Sequence, residues 1–512
     1  MNSRLQASSH NLKWRDSLGV PALLALLLLL CLLLYLPSLS YFFAQDDFYF
    51  LSRASQNRVE GFAAMLKPFG PFYRPLSTSM YFTAMLKLFG LWPLPYHIFN
   101  LILFCANALA VYYLGAMIFR DRAKGFVTAL FYLTRGVHFE TVSWVSGIQD
   151  SLMTLFTVLS MVAYLACSQK TGLRFLLSMG FFLLALLSKE TALVFPLILV
   201  AYEVILNRDK ANIRRYAMLL PLIFLAGAFL VFRILFVESM PAEGEYATGI
   251  GLFWISNLVK YLLACVNVWY LSITFFPKVQ GYAFQFLAGC LALLLFVWLL
   301  KDRERRKGFR ISDFGLGIRR FARLSGNRRK HEGVATNLLS EAGNTRIRGY
   351  LRLMGFGLVV SIIGAMPALP FTSRFEPYYM SLSCVGMSIV FSAAFASLSN
   401  RRARAGVLIT VCVVALMLNM QIRARRLSHV GRFSSVAQRA INELKPVLAS
   451  APGGTTLYIS GSDGNLYLAL AWGDGIKVFF PQIEAVIFDN VSPEYQLKGT
   501  ETVFRYASRL TS

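Results

Sequence analysis

Charged residues are scarce in this sequence: Asp, Glu, Lys and Arg together make up 15% of its 512 residues. A soluble chain of this length normally folds as two or more domains and carries more charge. Hydrophobic residues make up 56% of the chain, the mean hydropathy is +0.55, and apolar runs near 20 residues recur along it. Such runs are long enough to cross roughly 30 Å of hydrocarbon as helices. The composition therefore excludes a soluble enzyme and predicts a polytopic helical membrane protein.

Several familiar motifs are also missing. The seven cysteines include no CxxC pair and lie in or beside apolar runs, which indicates neither a zinc site nor a disulfide framework. There is no phosphate-binding glycine loop, no metalloprotease motif and no internal repeat. The net charge of +25 resides in short segments between apolar runs, so it favours a membrane topology over nucleic-acid binding.

The basic residues orient the apolar runs. Loop 301–350 has a net charge of +9 and loop 208–215 has +3, whereas loop 238–250 contains three glutamates and no base. All basic loops lie on the cytoplasmic side if segment 251–277 enters and leaves from the outside instead of spanning. This arrangement has about eleven spans, with the N-terminus inside and the C-terminus outside. The predicted spans are residues 18–38, 95–119, 124–137, 148–168, 173–188, 190–207, 216–237, 280–300, 351–371, 376–398 and 405–421.

The chain divides into three regions on this basis. A cytoplasmic tail (1–17) precedes a first helix without a cleavage site, and a transmembrane domain follows over residues 18–421, with its first external loop at 39–94. Residues 422–512 contain the short β-like runs "TTLYISG", "IKVFF" and "EAVIFD" between turn residues. The predicted fold class is therefore an all-α polytopic membrane protein with a small C-terminal α/β domain on the extracytoplasmic side.

Isolated charged side chains converge on the external membrane surface in this topology. Each has a structural explanation of its own, since a charge at a helix end is commonly an interface anchor and an arginine beside lipid can snorkel. His138 taken alone is better explained as a packing residue than as a catalyst. Their concentration in five external segments nevertheless indicates a binding or catalytic site. The residues are Asp46, Asp47, Arg74, His138, Glu140, Asp150, Lys189, Glu190 and Arg374.

These segments resemble the membrane half of the GT-C glycosyltransferases. The acidic pair in "AQDDFYF" is followed by "FYRPLSTSMYF", "HFETVSWVSGIQD" and "LSKETALVFP", and a weaker block, "SRFEPYYMSLS", surrounds Arg374. Over residues 20–210 the chain is similar to the tetratricopeptide-repeat O-mannosyltransferases, and more distantly to the protein O-mannosyltransferases and the bacterial aminoarabinose transferases. It departs from the family in having Arg135-Gly136 where a His-Pro is common, and in having no tetratricopeptide repeats.

The resemblance implies an integral-membrane enzyme that moves a sugar from a polyprenyl-phosphate-linked donor to an acceptor hydroxyl of a protein, lipid or glycan. The transfer would be an inverting single displacement outside the cytoplasm. Either Asp46 or Asp47 would act as the general base, with Asp47 slightly favoured, because a nearby carboxylate can take the hydroxyl proton. Two adjacent acids near lipid should repel each other, which raises one pKa toward the useful range. The second acid hydrogen-bonds the sugar or helps to bind a divalent cation, Mg or Mn, which some family members use.

The other polar residues have implied substrate-binding roles. They are Arg74, His138, Glu140, Lys189, Glu190 and Arg374. The three cations are candidates for binding the lipid phosphate and stabilising the charge that develops on it, and His138 and Glu140 would orient acceptor or sugar. Aromatic residues in 251–282 either line a groove for the prenyl chain or form a lipid-facing belt. The predicted location is a bacterial inner membrane, with the site facing the periplasm, lipids around it and no nucleic-acid partner.

Two other classes of protein compete with this interpretation. A transporter or flippase for a lipid-linked saccharide would also be polytopic, but transporters more often contain inverted repeats and broken helices near the midplane. A non-catalytic membrane scaffold would be expected to have lost the acidic pair, which is intact in this sequence. The position of the charges at one membrane surface favours an enzyme over both alternatives.

Overall fold

The chain is a helical protein with a small sheet near its C-terminal end. The computed structural model describes residues 19–68, 70–167, 172–207, 216–239, 244, 246–268, 330–398, 400–424, 429–460, 464–488 and 501–505. Within them, the helical segments long and apolar enough to cross a membrane are Pro21–Ser40, Pro93–Phe119, Val145–Leu165, Leu219–Phe236, Arg348–Ala368, Pro377–Ser397 and Arg402–Gln421. The prediction of a multi-pass helical membrane protein is confirmed.

The elements follow one another in three groups. The first group is α1 (Val20–Tyr35), α2 (Asp46–Glu60), α3 (Phe62–Met65), α4 (Tyr81–Phe89), α5 (Pro93–Phe119), α6 (Arg122–Leu133), α7 (His138–Ser143), α8 (Ile148–Leu165), α9 (Gly172–Ser188) and α10 (Phe195–Ile205). The second group is α11 (Leu219–Phe236), α12 (Phe253–Cys265), α13 (Lys330–Ala365), α14 (Ser381–Ser397), α15 (Arg401–Ala424) and α16 (His429–Leu448). The third is β1 (Thr455–Ser460), α17 (Gly464–Ala469), α18 (Asp474–Phe479), β2 (Ile483–Phe488) and β3 (Glu501–Arg505).

The count of eleven spans and their orientation remain predictions. The apolar segments at 124–137 and 190–207 contain the shorter helices α6 and α10, and α12 covers 13 residues of segment 251–277. The span predicted at 280–300 lies outside the described residues. Residues 330–350, predicted as part of a loop, instead belong to α13. A helix that is already nucleated in an apolar run can extend through polar residues without a further nucleation cost.

Helices α13 and α14 cross at a seam of small residues. A Cβ added to Gly357 would lie 2.6 Å from the carbonyl oxygen of Gly386, and Ser361 Oγ donates to the carbonyl of Ser383 at 3.0 Å. Small side chains allow helix backbones to approach closely in lipid, where the hydrophobic effect does not drive helices together. The seam positions the segment just before α14, which carries several residues of the site.

The described residues of 429–505, from α16 to β3, form a C-terminal unit on one end of the bundle. Its sheet is parallel with the order β2-β1-β3, and Leu457 and Ile459 of β1 are fully buried. This apolar core includes Phe433 of α16 and is continuous with Phe43 and Phe48 of segment 39–94. The strands predicted at "TTLYISG" and "EAVIFD" are confirmed as β1 and β2.

The strand predicted at "IKVFF" is wrong, because these residues belong to α18 and the turn after it. The backbone nitrogens of Gly473 and Gly475 donate to the carbonyl of Leu470 at 3.1 and 3.0 Å, which closes the turns that lead into this helix. Phe479 then packs against Phe48 of α2, with ring centroids 6.4 Å apart. A run this short suits either structure, and packing against α2 decides between them.

The helix seam leads to a stability prediction. We expect Gly386→Ala to destabilise the protein by roughly 1–3 kcal/mol, because its new methyl group would overlap the backbone of α13. The matched control is Gly355→Ala in α13, where a Cβ would meet nothing within 4 Å. The measurement is thermal unfolding of the purified chain in lipid nanodiscs. Equal melting temperatures for the two variants would contradict the close packing of this seam.

Candidate functional site

Asp46 and Asp47 form the first turn of α2, but their carboxylates have different surroundings. Asp47 is 1% exposed. Its Oδ1 accepts hydrogen bonds from the backbone nitrogen (2.8 Å) and the Oγ (2.5 Å) of Ser146, and its Oδ2 accepts one from the backbone nitrogen of Ala44 (2.9 Å). Asp46 instead borders two neighbouring cavities. Successive helical residues point about 100° apart, so one acid faces protein while the other faces the cavities.

Burial raises the pKa of Asp47 to about 7. The hydrogen bonds from Ser146 and Ala44 favour the carboxylate and oppose this shift, and repulsion from Asp46 adds to it least. The raised pKa expected for one of the two acids is therefore found at Asp47, but its main cause is burial and not mutual repulsion.

Arg74 and Glu190 form a two-point ion pair between distant segments. Arg74 Nε donates to Glu190 Oε2 at 2.7 Å, while its two Nη atoms donate to Glu190 Oε1 and to Gln149 Oε1. One turn of π-helix, Leu76–Met80, follows Arg74, and such distortions are frequent at functional sites. Arg233 of α11 adds a second cation 4.0 Å from Glu190.

Lys189 pairs instead with Asp150 in the first turn of α8. The Lys189 Nζ lies 2.8 Å from Oδ1 and 2.6 Å from Oδ2 of that carboxylate, and both side chains are buried. The same ammonium group lies 4.7 Å from the ring centroid of Tyr379. In this cluster the three cations Arg74, Lys189 and Arg233 face the carboxylates of Glu190 and Asp150, and the Asp46 carboxylate borders the same small cavity.

Two cavities meet at Asp46. A small polar cavity of about 40 Å³ extends toward the charged cluster, and a larger one of about 560 Å³ extends toward the C-terminal unit. The small cavity is lined by Asp46, Phe50, Phe72, Arg74, Trp144, Ser146, Gln149, Asp150, Lys189, Tyr246, Tyr378 and Tyr379. The large cavity is lined by Gln45, Asp46, Glu140, Trp144, Tyr246, Arg374, Glu376, Tyr378, Val430, Arg432, Phe433, Asn465, Leu468 and Trp472. Asp46 is the one carboxylate residue common to both of these linings.

The sequence-predicted residues divide between these cavities. Glu140 and Arg374 line the large cavity, where the Arg374 guanidinium donates to the Tyr378 hydroxyl at 3.2 Å and lies 4.5 Å from the ring centroid of Tyr246. His138 lines neither cavity. It is fully buried between the rings of Tyr132 and Phe104, at centroid distances of 4.3 and 5.0 Å. Burial lowers the pKa of His138 to about 3, so that its imidazole is neutral.

Several residues of the site are absent from the sequence prediction. Arg233 is the only charged residue in the apolar run of α11, and a charge in such a position is a functional signal in membrane proteins. Glu376 lies two residues after Arg374 in "SRFEP", where a paired charge could have been suspected. Trp472 and Asn465 belong to the C-terminal unit, and nothing local in the sequence connects them with the acidic pair.

A divalent cation held by Asp46 and Asp47 does not fit this arrangement. Both oxygens of Asp47 already accept hydrogen bonds from protein groups, and the two carboxylates face different directions. Two carboxylates turned apart cannot ligate the same ion, so of this pair only Asp46 could offer an oxygen to a cation in the cavities. Among the described residues there is no group of three or more His, Cys, Asp or Glu side chains placed to hold a metal ion.

Comparison with known proteins supports the resemblance seen in the sequence. No protein-family model matches the chain. The chain is 33% identical over 152 residues to Protein O-mannosyl-transferase TMTC1 of Mus musculus, and the aligned part covers 27% of this chain and 16% of that protein. It is 33% identical over 93 residues to the Homo sapiens protein of the same name, and that aligned part covers 18% of this chain and 10% of that protein. The chain thus matches less than a fifth of the length of either relative, and its similarity to O-mannosyltransferases is confirmed over that part.

The solved structures similar to this chain include an archaeal oligosaccharyltransferase and ArnT. The archaeal oligosaccharyltransferase AglB from Archaeoglobus fulgidus, in complex with an inhibitory peptide and a dolichol-phosphate, has a TM-score of 0.44 and 13% identity, covering 91% of this chain and 64% of that chain. ArnT from Cupriavidus metallidurans, bound to undecaprenyl phosphate, has a TM-score of 0.39 and 14% identity, covering 91% and 90% of the two chains. Scores below 0.5 do not by themselves establish a common fold.

The environment of Asp47 leads to a pH prediction. Its pKa is about 7 in the folded protein and 3.8 as the unperturbed value, so the folded state holds the proton more tightly. Protonation of Asp47 therefore contributes its full amount to the free energy of unfolding below about pH 4. This contribution is lost as pH rises toward 7, by up to about 1.4 kcal/mol per pH unit. We expect the melting temperature of the wild type to fall relative to Asp47→Asn between pH 5 and 7, and the difference to level off above 7. Parallel pH profiles for the two proteins would contradict this assignment.

Proposed function

We propose that the chain is an integral-membrane glycosyltransferase of the GT-C type, which transfers a sugar from a polyprenyl-phosphate-linked donor to an acceptor hydroxyl. The observation that carries the proposal is the position of Asp46. Its side chain borders both the small cavity beside Lys189 and Arg74 and the large cavity open toward the C-terminal unit. A base at this junction can reach an acceptor in one cavity while a donor phosphate lies against the cations of the other.

The proposed reaction is a single displacement at the anomeric carbon. The Asp46 carboxylate takes the proton of the acceptor hydroxyl as the acceptor oxygen attacks. The bond between the anomeric carbon and the phosphate oxygen breaks at the same time, and the polyprenyl phosphate leaves with that electron pair. Attack from the side opposite the leaving group inverts the configuration of the anomeric carbon. Sequence alone slightly favours Asp47 as the base, whereas its burial and its bonds to Ser146 favour a structural role and leave Asp46 as our proposed base.

The charged cluster is suited to bind the leaving phosphate. An ammonium group has three donors, so Lys189 can retain Asp150 and still donate to a phosphate oxygen. Arg74 and Lys189 both line the small cavity, and their fixed positive charges can attract an anion there. Fixed charges in a water-poor site stabilise developing negative charge without reorganising during the reaction. Glu190 and Asp150 then act by holding Arg74 and Lys189 in position.

We further propose that the site faces the extracytoplasmic side. The basic segments of the chain lie at the opposite ends of the spans in the eleven-span arrangement, and the C-terminal unit lies on the same side as the first external loop. A bacterial inner membrane with a periplasmic active site is consistent with this orientation. The partial match to O-mannosyltransferases supports the reaction class, whereas the sugar and the carrier lipid are left open.

Substitution of the two acids tests the assignment of the base. We expect Asp46→Asn to lower kcat by about 10²–10⁴-fold, since general-base catalysis supplies rate enhancements of that size. Asp47→Asn should lose less activity, because its amide oxygen can still accept the hydrogen bonds from Ser146 and only the bond from the Ala44 nitrogen is lost. The assay uses purified protein in nanodiscs with the lipid-linked sugar fraction extracted from the native membranes. Full activity of Asp46→Asn would refute this base, and full activity of both variants would exclude the acidic pair.

The reaction class is tested in the native cells. Envelope glycans, glycolipids and glycoproteins are compared by mass spectrometry in cells with and without the gene. The proposal predicts that one sugar is missing from an envelope component, while its lipid-linked donor persists. Accumulation of a lipid-linked precursor confined to the cytoplasmic leaflet would indicate a flippase instead. An unchanged set of glycans would contradict both.

A further inference from the structure

The C-terminal unit supplies one wall of the large cavity. That wall consists of Val430, Arg432, Phe433, Asn465, Leu468 and Trp472. The opposite wall comes from the membrane helices and their external connections and includes Asp46 and Glu140. The two walls are joined next to the proposed base, where the backbone nitrogen of Gln45 donates to the carbonyl of Ala469 at 3.1 Å. The C-terminal unit is thus part of the site and not an appendage of the membrane bundle.

Trp472 is presented to the cavity by a turn of unusual backbone conformation. Ala471 and Trp472 have φ angles of 48° and 55°, and Gly473 follows at 105°. Left-handed conformations are unfavourable for non-glycine residues and persist only where the surrounding structure enforces them. The result is that Ala471 is buried while Trp472 is 56% exposed. A large exposed aromatic ring held in this way beside a cavity is typical of a ligand contact.

The turn is held from both sides. A Cβ on Gly473 would lie 2.9 Å from Val486 Cβ of β2, and one on Gly475 would lie 3.0 Å from the ring of Phe48 in α2. The Trp472 ring also meets Tyr467 edge to face, with centroids 6.0 Å apart. The ring is therefore oriented before any ligand arrives, and less conformational entropy is lost on binding.

We propose that this wall binds the acceptor and that the acceptor is a saccharide, a proposal that rests on the glycosyltransferase function above. A sugar ring has apolar C–H faces, which pack on an aromatic ring, and hydroxyl groups at its rim, which pair with amides, carboxylates and guanidinium groups. The large cavity combines both kinds of partner. The rings of Trp472 and Trp144 border it together with the amide of Asn465 and the charged groups of Glu140 and Arg432. Its volume of about 560 Å³ lies in the range of small-ligand sites, which is roughly 300–1,000 Å³.

A peptide acceptor fits this wall less well. Extended peptides are commonly held by hydrogen bonds to an exposed strand edge or by a long apolar groove. The described lining of the C-terminal wall comes from α16, α17 and the Trp472 turn, and it includes no residue of β1, β2 or β3. The backbone of the turn is also engaged internally, since the nitrogens of Gly473 and Gly475 both donate to Leu470. Recognition by this wall therefore depends on side chains, as it does for a saccharide.

The test compares Trp472→Ala with Trp472→Phe, Asp46→Asn and a matched control, Trp92→Ala, in the full-length protein. Trp92 is 59% exposed and lies outside both cavities. Binding is measured by ligand-observed NMR on nanodiscs, with two probes taken from cells that lack the gene: the glycans released from the envelope, and a tryptic peptide fraction of the envelope proteins. Transfer is measured in parallel with the extracted lipid-linked donor.

We expect the glycan probe to bind the wild type and Asp46→Asn alike, although Asp46→Asn does not catalyse transfer. Trp472→Ala should weaken glycan binding by at least about tenfold, the usual effect of truncating an aromatic anchor, while Trp472→Phe keeps most of it. Trp92→Ala should leave binding and transfer unchanged. Undiminished binding and transfer in Trp472→Ala would overturn the role of this wall, and binding of the peptide probe alone would overturn the saccharide assignment. Full transfer by Asp46→Asn would contradict the proposed base without affecting the binding result.

Discussion

The hydrogen bonds that Asp47 accepts from Ser146 and Ala44 are the contacts on which the geometry of the site depends. They tie the start of α2 to the turn between α7 and α8, and the preceding residue of α2, Asp46, is thereby turned toward the cavities. The bond from Gln45 to the carbonyl of Ala469 holds the same segment from the other side. Gln45 itself has a φ of 53°, a conformation that persists only under such constraint. The position of the proposed base is therefore set jointly by the membrane bundle and the C-terminal unit.

The buried charges of the cluster also depend on contacts between distant segments. Hydrocarbon and protein interior solvate ions poorly, so a buried charge requires a partner, and removing one member of a pair commonly costs about 3–5 kcal/mol. Arg74 meets Glu190 from a segment 116 residues away, and Lys189 meets Asp150 from one 39 residues away. These pairs join the ends of separate helices while they hold two cations at the small cavity. The same contacts thus organise the bundle and preorganise positive charge at the place where a phosphate would leave.

Much of this arrangement can be predicted from local sequence, and the remainder cannot. Apolar runs identify the helices, and the blocks around Arg74, Glu140 and Lys189 identify the segments that meet at the site. The pairing of Lys189 with Asp150, and not with the adjacent Glu190, depends on how α8 and α9 pack, which no local pattern records. His138 is next to the site in sequence but faces Tyr132 and Phe104, because the rotation of α7 turns it into the core. The run "IKVFF" forms a helix because α2 offers it a packing surface.

The sequence by itself determined that the protein is a multi-pass membrane protein and identified several membrane-domain segments that meet at the candidate site, since hydropathy and isolated charges act over short stretches of chain. Only the tertiary structure decided which of the two adjacent acids faces the cavities, which charges pair, and that Trp472 and Asn465 line the same cavity as Asp46. These features depend on the direction of side chains and on contacts between segments hundreds of residues apart. Two neighbours such as Asp46 and Asp47 have the same local composition, and only the surrounding donors distinguish them.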